Sequence, residues 1–333
     1  MSIPLQGLTV LILSFMAGAR VGPPSARQSN TSYVMVESGV RIEVKDWGGS
    51  GRPVMLIAGL GATLEAFNKF APMLIGRYHV YGVTRRGYGS SSHPAAVGTN
   101  YDADRLGDDV LSVLNQMKIE RPILIGHSFG GEELSSVCSR FPDRVAGLIY
   151  LDAGYRYAFS PERRGDFHID TLELRRELNT SLDAISPAEQ KSAIARLQET
   201  IPQFAADLEE QKKISATAPH MPEKEYAKEK LDTATPEGQI KKAALDGERR
   251  YAHLNCPVLA IFALPHDQGL PPGPKRDAVD ASDLQTFGPV VDSFEAGVPS
   301  ARVVRIPHAQ HAVYDSNPDE VMREINRFVD SLK

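Results

Sequence analysis

A serine in a distinctive setting is the first residue of this sequence that could do chemistry. Ser128 is the centre of a GHSFG segment, residues 126–130, which follows an apolar run at 123–125 and precedes a stretch of helical pattern. A G-x-S-x-G pattern between a strand and a helix predicts a sharp turn that exposes the serine hydroxyl. A serine hydroxyl needs an adjacent base to act as a nucleophile. An acid and a histidine are therefore expected further along the chain.

Two later residues meet this expectation. Asp267 follows an apolar run at 257–263, and His311 follows another at 301–306. Because the carboxyl ends of parallel strands open into one crevice, these side chains are expected to converge on Ser128. His311 would accept the serine proton, and Asp267 would orient and stabilise the imidazole ring. Asp152, which ends a third apolar run, is the alternative acid.

Other histidines near these positions receive smaller roles. His308 competes with His311 for the role of base, and His311 is favoured because it lies deeper in the loop after the strand. His266 and Asp315 are expected at most to border or tune the site, and His127 to pack within the turn.

Two backbone N–H groups could stabilise an oxyanion. The N–H of Phe129 would lie at the start of the helix that follows Ser128, where the helix dipole favours negative charge. Leu60 lies between two glycines just after the apolar run at 53–58, and its N–H would be the second donor. The alternative for the Leu60 segment is a plain turn between a strand and a helix.

The pattern of apolar runs predicts an α/β fold. After a hairpin at 33–37 and 40–44, apolar runs at 53–58, 79–84, 123–125 and 145–151 alternate with helical patterns at 64–74, 104–117 and 131–140. Such alternation predicts a mostly parallel central sheet with helices on both faces. The apolar runs at 257–263 and 301–306 extend the sheet, residues 268–289 read as a Gly/Pro-rich connection, and a closing amphipathic helix begins at Asn317.

The segment at 154–254 has a different character. It shows no buried-strand pattern, and it is charged, helix-forming and interrupted by prolines. We interpret it as a helical cap inserted into a core formed by residues 33–153 and 255–333; the alternative is a disordered linker. Tyr155, Tyr157 and Phe159 stand at its beginning. They could line a substrate pocket or serve only as hinge packing.

The N-terminal segment suggests export. Residues 8–17 are apolar but too short to span a bilayer, and small residues follow at 17–19. Residues 1–19 are therefore predicted to be a signal peptide and 20–32 a flexible tether, which places the protein outside the cell or in a periplasm. The alternatives are an uncleaved anchor, or a wrongly chosen start codon and a cytoplasmic protein.

Composition and cysteine content narrow the remaining possibilities. A net charge of −5 gives no reason to expect nucleic acid or an anionic membrane as a partner, so no stable membrane partner is expected beyond the signal segment. No metal or cofactor is expected either, because zinc spacing, Walker and dinucleotide patterns do not occur. Cys138 and Cys256 are interpreted as two buried thiols rather than a disulfide.

The site motifs resemble those of the α/β-hydrolase superfamily. The similarity lies in the GHSFGG segment at 126–131, the RGYGS segment at 86–90, Asp267 and His311, and it covers about residues 33–333. It implies the α/β-hydrolase fold, a Ser128–Asp267–His311 triad and an oxyanion hole at Leu60 and Phe129. The sequence departs from the family pattern in having Ala58 before Gly59 where His-Gly is frequent, and in lacking a G-x-x-D turn before Asp267.

The resemblance also implies a reaction class. A serine hydrolase that cleaves small or medium carboxylic esters through an acyl-enzyme is the first expectation, with a small-molecule ester as its partner. Hydrolysis of a C–C bond or an amide, and cofactor-free perhydrolysis, are alternatives on the same triad. Dehalogenases and epoxide hydrolases of this fold use an aspartate nucleophile, and Ser128 argues against both. A catalytically silent member that binds a ligand is the alternative from another class.

Overall fold

The computed structural model describes residues 30–161, 166–217 and 233–332. The predicted signal peptide and most of the predicted tether lie outside these residues. Within them, eight strands form one sheet in the order β1-β2-β4-β3-β5-β6-β7-β8. The strands are β1 (Asn30–Glu37), β2 (Val40–Gly49), β3 (Arg52–Ile57), β4 (Tyr78–Thr84), β5 (Ile123–His127), β6 (Gly147–Leu151), β7 (Val258–Ala263) and β8 (Ala301–Ile306).

The sheet is mixed, with a parallel centre. β2 pairs antiparallel with β1 and β4, whereas β4, β3, β5, β6, β7 and β8 pair in parallel. β6 and β7 are buried along their whole length, which explains their uninterrupted apolar sequences. Apolar clusters cover both faces of the sheet. The predicted α/β architecture is confirmed.

Helices flank the sheet and fill the insertion. They are α1 (Ala71–Leu74), α2 (Ala103–Gln116), α3 (Gly130–Arg140), α4 (Phe167–Asp183), α5 (Pro187–Thr217), α6 (Pro236–Asp246), α7 (Pro274–Gly297), α8 (Val313–Ser316) and α9 (Pro318–Ser331). Because α4, α5 and α6 all lie between β6 and β7, the insertion is helical in its described part. Among the described residues, no helix has both the length and the apolarity to cross a membrane.

Two segments differ from the prediction. The expected connection at 268–289 contains most of α7, which begins with Pro274 at its first turn and continues through Pro289. Gly273, Pro274 and Pro289 indicated a loop in the sequence, because glycine and proline are typical of turns. They instead belong to or flank a helix whose Val291 and Phe294 are buried. At the other end of the chain, β1 starts at Asn30, so three residues assigned to the tether belong to a strand.

The two cysteines form a disulfide, which corrects their interpretation as separate thiols. Cys138 lies on α3 and Cys256 lies just before β7, and their sulfurs are bonded across a separation of 118 residues. Spacing along the chain gave no hint of this proximity. It arises because β7 pairs with β6, which brings the segment before β7 close to α3.

We expect the denatured protein to contain no free thiol before reduction and two after it. Cys138 and Cys256 are the two cysteines of the sequence, and both are committed to the one bond. Titration with a thiol reagent in denaturant measures this directly. A Cys256→Ala variant, which leaves Cys138 unpaired, serves as the control with one thiol. Two reactive thiols in the unreduced wild type would contradict the pairing.

Candidate functional site

Ser128 stands on a tight turn between β5 and α3. Its φ angle is +50°, a left-handed conformation that is uncommon for residues other than glycine and concentrates at functional sites. The turn is tied down because the Ser128 N–H donates to the carbonyl of Leu151 on β6 at 3.2 Å. It also needs Gly130, since a Cβ there would lie 2.6 Å from the carbonyl oxygen of Ile57. The sequence thus forces the serine out of the sheet.

His311, after β8, is paired with Asp152, after β6. The His311 Nδ1 lies 2.6 Å from Oδ2 of Asp152. Asp152 is fully buried, whereas half of the His311 side chain is exposed. An imidazole that donates from Nδ1 carries its lone pair on Nε2, the nitrogen that can accept a proton. Ser128 and His311 line the same cavity.

This geometry corrects the expected pairing of His311 with Asp267. The Asp267 carboxylate accepts a hydrogen bond from the Gly269 N–H at 2.9 Å, within its own loop. His266, one residue earlier, is the side chain that reaches Asp152. The segment runs alongside the residues after β8, with His266 bridged to Ala309, and successive side chains of an extended segment point to opposite sides. Asp267 therefore faces away from the site.

Asp152 accepts hydrogen bonds on both carboxylate oxygens. Among the described residues, Oδ1 receives the Tyr155 hydroxyl at 2.7 Å and the Ala263 N–H at 3.0 Å, and Oδ2 receives His266 and His311. Burial alone would raise the pKa of Asp152, but the hydrogen bonds from His266 and His311 hold it below its ordinary value. The carboxylate is therefore charged and fixed in one orientation.

His266 bridges two carboxylates. Its Nε2 lies 3.0 Å from Asp152 Oδ2, and its Nδ1 lies 2.9 Å from Oδ2 of Asp283 on α7. The same Asp283 oxygen accepts the His266 backbone N–H at 2.8 Å. Burial opposes a charge on this ring, but Asp152 and Asp283 together raise the pKa of His266 to about 9. At neutral pH the ring is thus an imidazolium between two carboxylates.

His127 holds the loop that carries His311. Its Nε2 lies 3.1 Å from the carbonyl oxygen of His311, and the two rings are 4.7 Å apart. Burial, followed by the proximity of His311, lowers the pKa of His127 to about 4. A neutral His127 can therefore donate to that carbonyl through Nε2. The expected packing role of His127 becomes a specific anchoring contact.

The loop of Leu60 is fixed by a buried arginine that sequence reasoning did not single out. Arg85 donates to the carbonyls of Ala58 at 3.0 Å and Gly59 at 3.2 Å, and its Nε pairs with Glu133 on α3. Within the described chain, no backbone hydrogen bond outside regular secondary structure uses the N–H of Leu60 or Phe129 as donor. Both residues line the cavity at Ser128. Arg85 thereby joins the two segments expected to supply oxyanion donors.

A cavity of about 700 Å³ lies over Ser128. Tyr155 and Tyr157 line it, and Tyr157 also interacts with the Ser128 side chain. Removal from water raises the pKa of Tyr157 well above its ordinary value, so the phenol keeps its proton. The other lining residues are Leu60, Phe129, Arg156, Asp166, Leu245, Glu248, His266, Gln268, Asp283, Thr286, Phe287, Val290 and His311.

Phe159 does not line this cavity, which corrects its expected role in substrate binding. It is buried, its ring lies 5.6 Å from that of Phe294, and it fills the space beside Gly297 on α7. The alternative role in packing therefore holds for Phe159, although the helix that it packs against was not predicted.

Two further residues from the sequence prediction lie outside the hydrogen-bonded group. His308 Nδ1 lies 3.8 Å from an Asp280 carboxylate oxygen, and Asp315 lies on the short helix α8. The ligand atoms of Asp152, His266 and His311 are close enough to one another to hold a metal ion. In this structure, however, His266 Nε2 and His311 Nδ1 both form hydrogen bonds with the same oxygen, Oδ2 of Asp152.

Known proteins share this arrangement of strands and helices. A sequence model described as the alpha/beta hydrolase family matches residues 54–324. The chain belongs to this family. A solved E-2-(acetamidomethylene)succinate hydrolase superposes on it with a TM-score of 0.53 at 20% identity, covering 91% of this chain and 100% of the other. At that identity, the superposition shows the fold alone.

Curated relatives within this α/β-hydrolase family carry different activities. Esterase YbfF of Escherichia coli is 26% identical over 83% of this chain and 92% of its own length. The 2-(acetamidomethylene)succinate hydrolase of Mesorhizobium japonicum is 23% identical over 85% and 90%. Epoxide hydrolase A of Mycobacterium tuberculosis is 32% identical, but the match spans only 39% of each chain. Family membership therefore identifies the chain as a hydrolase. The relatives differ in the bond that they cleave.

Proposed function

We propose that this α/β hydrolase is a serine hydrolase that cleaves carboxylic esters through an acyl-enzyme. The observation that carries the proposal is the left-handed Ser128 at the floor of a cavity that it shares with His311, whose Nδ1 is paired with the buried Asp152. A nucleophile, a base and an orienting acid on three neighbouring loops are the parts that acyl transfer requires.

The first half of the reaction forms the acyl-enzyme. His311 Nε2 takes the Ser128 proton while Oγ attacks the ester carbonyl, and the carbonyl electrons move onto its oxygen. The N–H groups of Leu60 and Phe129 are the proposed donors to that oxyanion. Asp152 stabilises the imidazolium of His311. Collapse of the tetrahedral intermediate expels the alcohol, which takes the proton from His311.

The second half repeats these steps with water. Water attacks the acyl carbonyl, and His311 Nε2 accepts its proton. Collapse of the second tetrahedral intermediate breaks the bond to Ser128 and yields the carboxylic acid. His311 returns the proton to the Ser128 oxygen, so no proton is gained or lost on the enzyme.

His266 and Asp283 belong to the proposed machinery as positioning residues. Asp152 is buried and would resist ionisation without compensating partners. The His266 imidazolium supplies one hydrogen bond and a positive charge, and Asp283 fixes that ring through its other nitrogen. His266 stands one residue before Asp267, the aspartate that the sequence suggested as the acid. The segment after β7 therefore supplies a histidine that supports Asp152, and Asp152 remains the acid.

The relatives support an ester and leave a second candidate open. Esterase YbfF matches most of the chain, which favours ester cleavage. The acetamidomethylene succinate hydrolase matches a similar share, and its name describes a substrate with an acetamido group. Amide cleavage is therefore the second candidate, with the same nucleophile and base. The relatives named as a perhydrolase and as a 2-hydroxymuconate semialdehyde hydrolase match only 36% and 35% of this chain, so perhydrolysis and C–C bond hydrolysis are less well supported.

Export from the cytoplasm also belongs to the proposal. The predicted signal peptide lies outside the described residues. The Cys138–Cys256 disulfide supports an oxidising compartment, because such bonds persist mainly in exported proteins. Fractionation of cells that express the full chain tests this proposal.

The test of the reaction compares the wild type with Ser128→Ala on p-nitrophenyl acetate and butyrate. We expect the variant to lose hydrolysis by at least about 10⁴-fold, because it lacks the nucleophile. A fluorophosphonate probe should label the wild type at Ser128 and leave the variant unlabelled. Equal hydrolysis by the two proteins would contradict the proposal. Labelling without ester turnover would favour the amide candidate.

A further inference from the structure

We propose that Arg156 forms an anion subsite in the cavity, and that the enzyme prefers esters that carry a carboxylate group. This inference rests on the proposed function, since it names the substrate class of the same site. Arg156 lies between Tyr155, which donates to Asp152, and Tyr157, which interacts with Ser128. The three consecutive residues 155–157 thus place the positively charged Arg156 at the cavity in which Ser128 lies.

The acids that line the cavity are already engaged. The Oδ1 of Asp166 accepts the N–H groups of His168 and Ile169, where it caps α4. Asp283 is committed to His266. Neither carboxylate forms an ion pair with Arg156 among the described residues, whereas Glu248 does. Arg156 therefore depends on Glu248 for its internal partner.

Glu248 contacts the Arg156 guanidinium at Nε. Its Oε2 lies 3.4 Å from Arg156 Nε and 3.3 Å from Nε2 of His168. The Glu248 side chain is fully buried, whereas about half of the Arg156 side chain is exposed. Among the described residues, the guanidinium of Arg156 has no other hydrogen bond or ion pair, and its two terminal nitrogens carry the remaining donors. A guanidinium held in this way offers a planar pair of N–H donors, which suits a carboxylate.

The rest of the cavity suits the body of such a substrate. Leu60, Phe129, Phe287 and Val290 contribute to an apolar wall. An apolar chain placed along this wall would bring its ester to Ser128 and a distal carboxylate to Arg156. Because a carboxylate can belong to the acyl part or to the alcohol part, both arrangements are compatible with the site. The chemical class is a half-ester of a dicarboxylic acid, or an ester of a hydroxy acid.

The test uses matched pairs of esters that differ in charge. Monomethyl adipate and methyl hexanoate place the carboxylate on the acyl side; para-butyryloxybenzoate and para-butyryloxybenzamide place it on the leaving group. We expect the wild type to prefer the charged member of at least one pair by about 10- to 100-fold in kcat/KM, the range of a charge-assisted hydrogen bond. Arg156→Gln should bring the charged-to-neutral ratio of kcat/KM to about one, and thermal melting reports folding independently of activity.

A second variant should move the preference in the opposite direction. Glu248→Gln keeps the shape of the side chain but removes the negative charge beside Arg156, so the preference for the charged ester should rise. If Arg156 only neutralised Glu248, both variants would change both esters equally and the ratio would stay constant. That outcome, or no preference in the wild type, overturns the subsite while ester hydrolysis stands. Failure on all four esters would instead contradict the proposed function.

Discussion

We expect Asp152→Asn to lower kcat by about 10³- to 10⁴-fold, the largest loss outside Ser128 and His311. The reason lies in the direction of the hydrogen bonds. Asp152 Oδ2 accepts from His311 Nδ1 and from His266 Nε2. An asparagine amide that replaces this oxygen with NH₂ would favour the other tautomer of His311, with its proton on Nε2. That tautomer cannot accept the proton of Ser128.

The matched control is Asp267→Asn. Asp267 is the acid that the sequence suggested, and its carboxylate accepts a hydrogen bond from Gly269 within its own loop. We expect this variant to stay within about twofold of the wild type. Both kcat values should be measured on p-nitrophenyl butyrate, with thermal melting to confirm that each variant is folded. A large loss in Asp267→Asn, with Asp152→Asn near wild type, would restore the pairing expected from the sequence.

The contrast between Asp152 and Asp267 shows which features of the site could be predicted from the sequence. The GHSFG segment predicted the strand, the turn and the helix around Ser128 because each needs only local pattern and close-packed glycines. The choice of acid depends instead on which of two adjacent side chains faces the sheet edge after β7. His266 and Asp267 differ by one position, and a shift of one residue in an extended segment exchanges inside for outside.

The remaining gaps have a common physical cause. Asp283 reaches His266 from α7, a helix hidden by Gly273, Pro274 and Pro289. Without that helix, no second carboxylate could be assigned to His266 from the sequence, and so its positive charge could not be predicted. Contacts across distant segments, such as Arg85 with the carbonyls of Ala58 and Gly59, leave no periodic signal either. Periodicity predicts elements, and the partners that complete a site come from their packing.

We expect His266→Gln to move the acid limb of the kcat/KM profile to higher pH. The limb reports protonation of the base in the free enzyme, and His311 is the base in the proposed mechanism. In the wild type, the His266 imidazolium opposes a second positive charge on the neighbouring His311 ring. The uncharged glutamine keeps a polar group near Asp152 but removes this repulsion. The acid limb of the variant should therefore lie at higher pH.

The distance between the rings sets the scale of this shift. The centroids of His266 and His311 are 6.4 Å apart. At an effective dielectric constant of about 20, two imidazolium charges at this distance repel each other by about 2.6 kcal/mol. Because His311 is half exposed, solvent screening reduces the expected repulsion to about half of this energy. At pH values below the acid limb, kcat/KM of the His266→Gln variant should thus be about 10-fold lower than that of the wild type. On the plateau at higher pH, the two values should differ little.

The control for this prediction is another histidine–carboxylate pair away from the site. His79 Nε2 lies 2.9 Å from Asp46 Oδ1, and His79→Gln should leave the acid limb in place. Proton NMR of the imidazole groups supplies the direct measurement. The wild type should show a histidine that titrates at about 9, in agreement with the raised pKa of His266, and the His266→Gln variant should lack it. A purely structural His266 would lower activity equally across the profile, because its loss would remove folded enzyme without changing the proton affinity of His311.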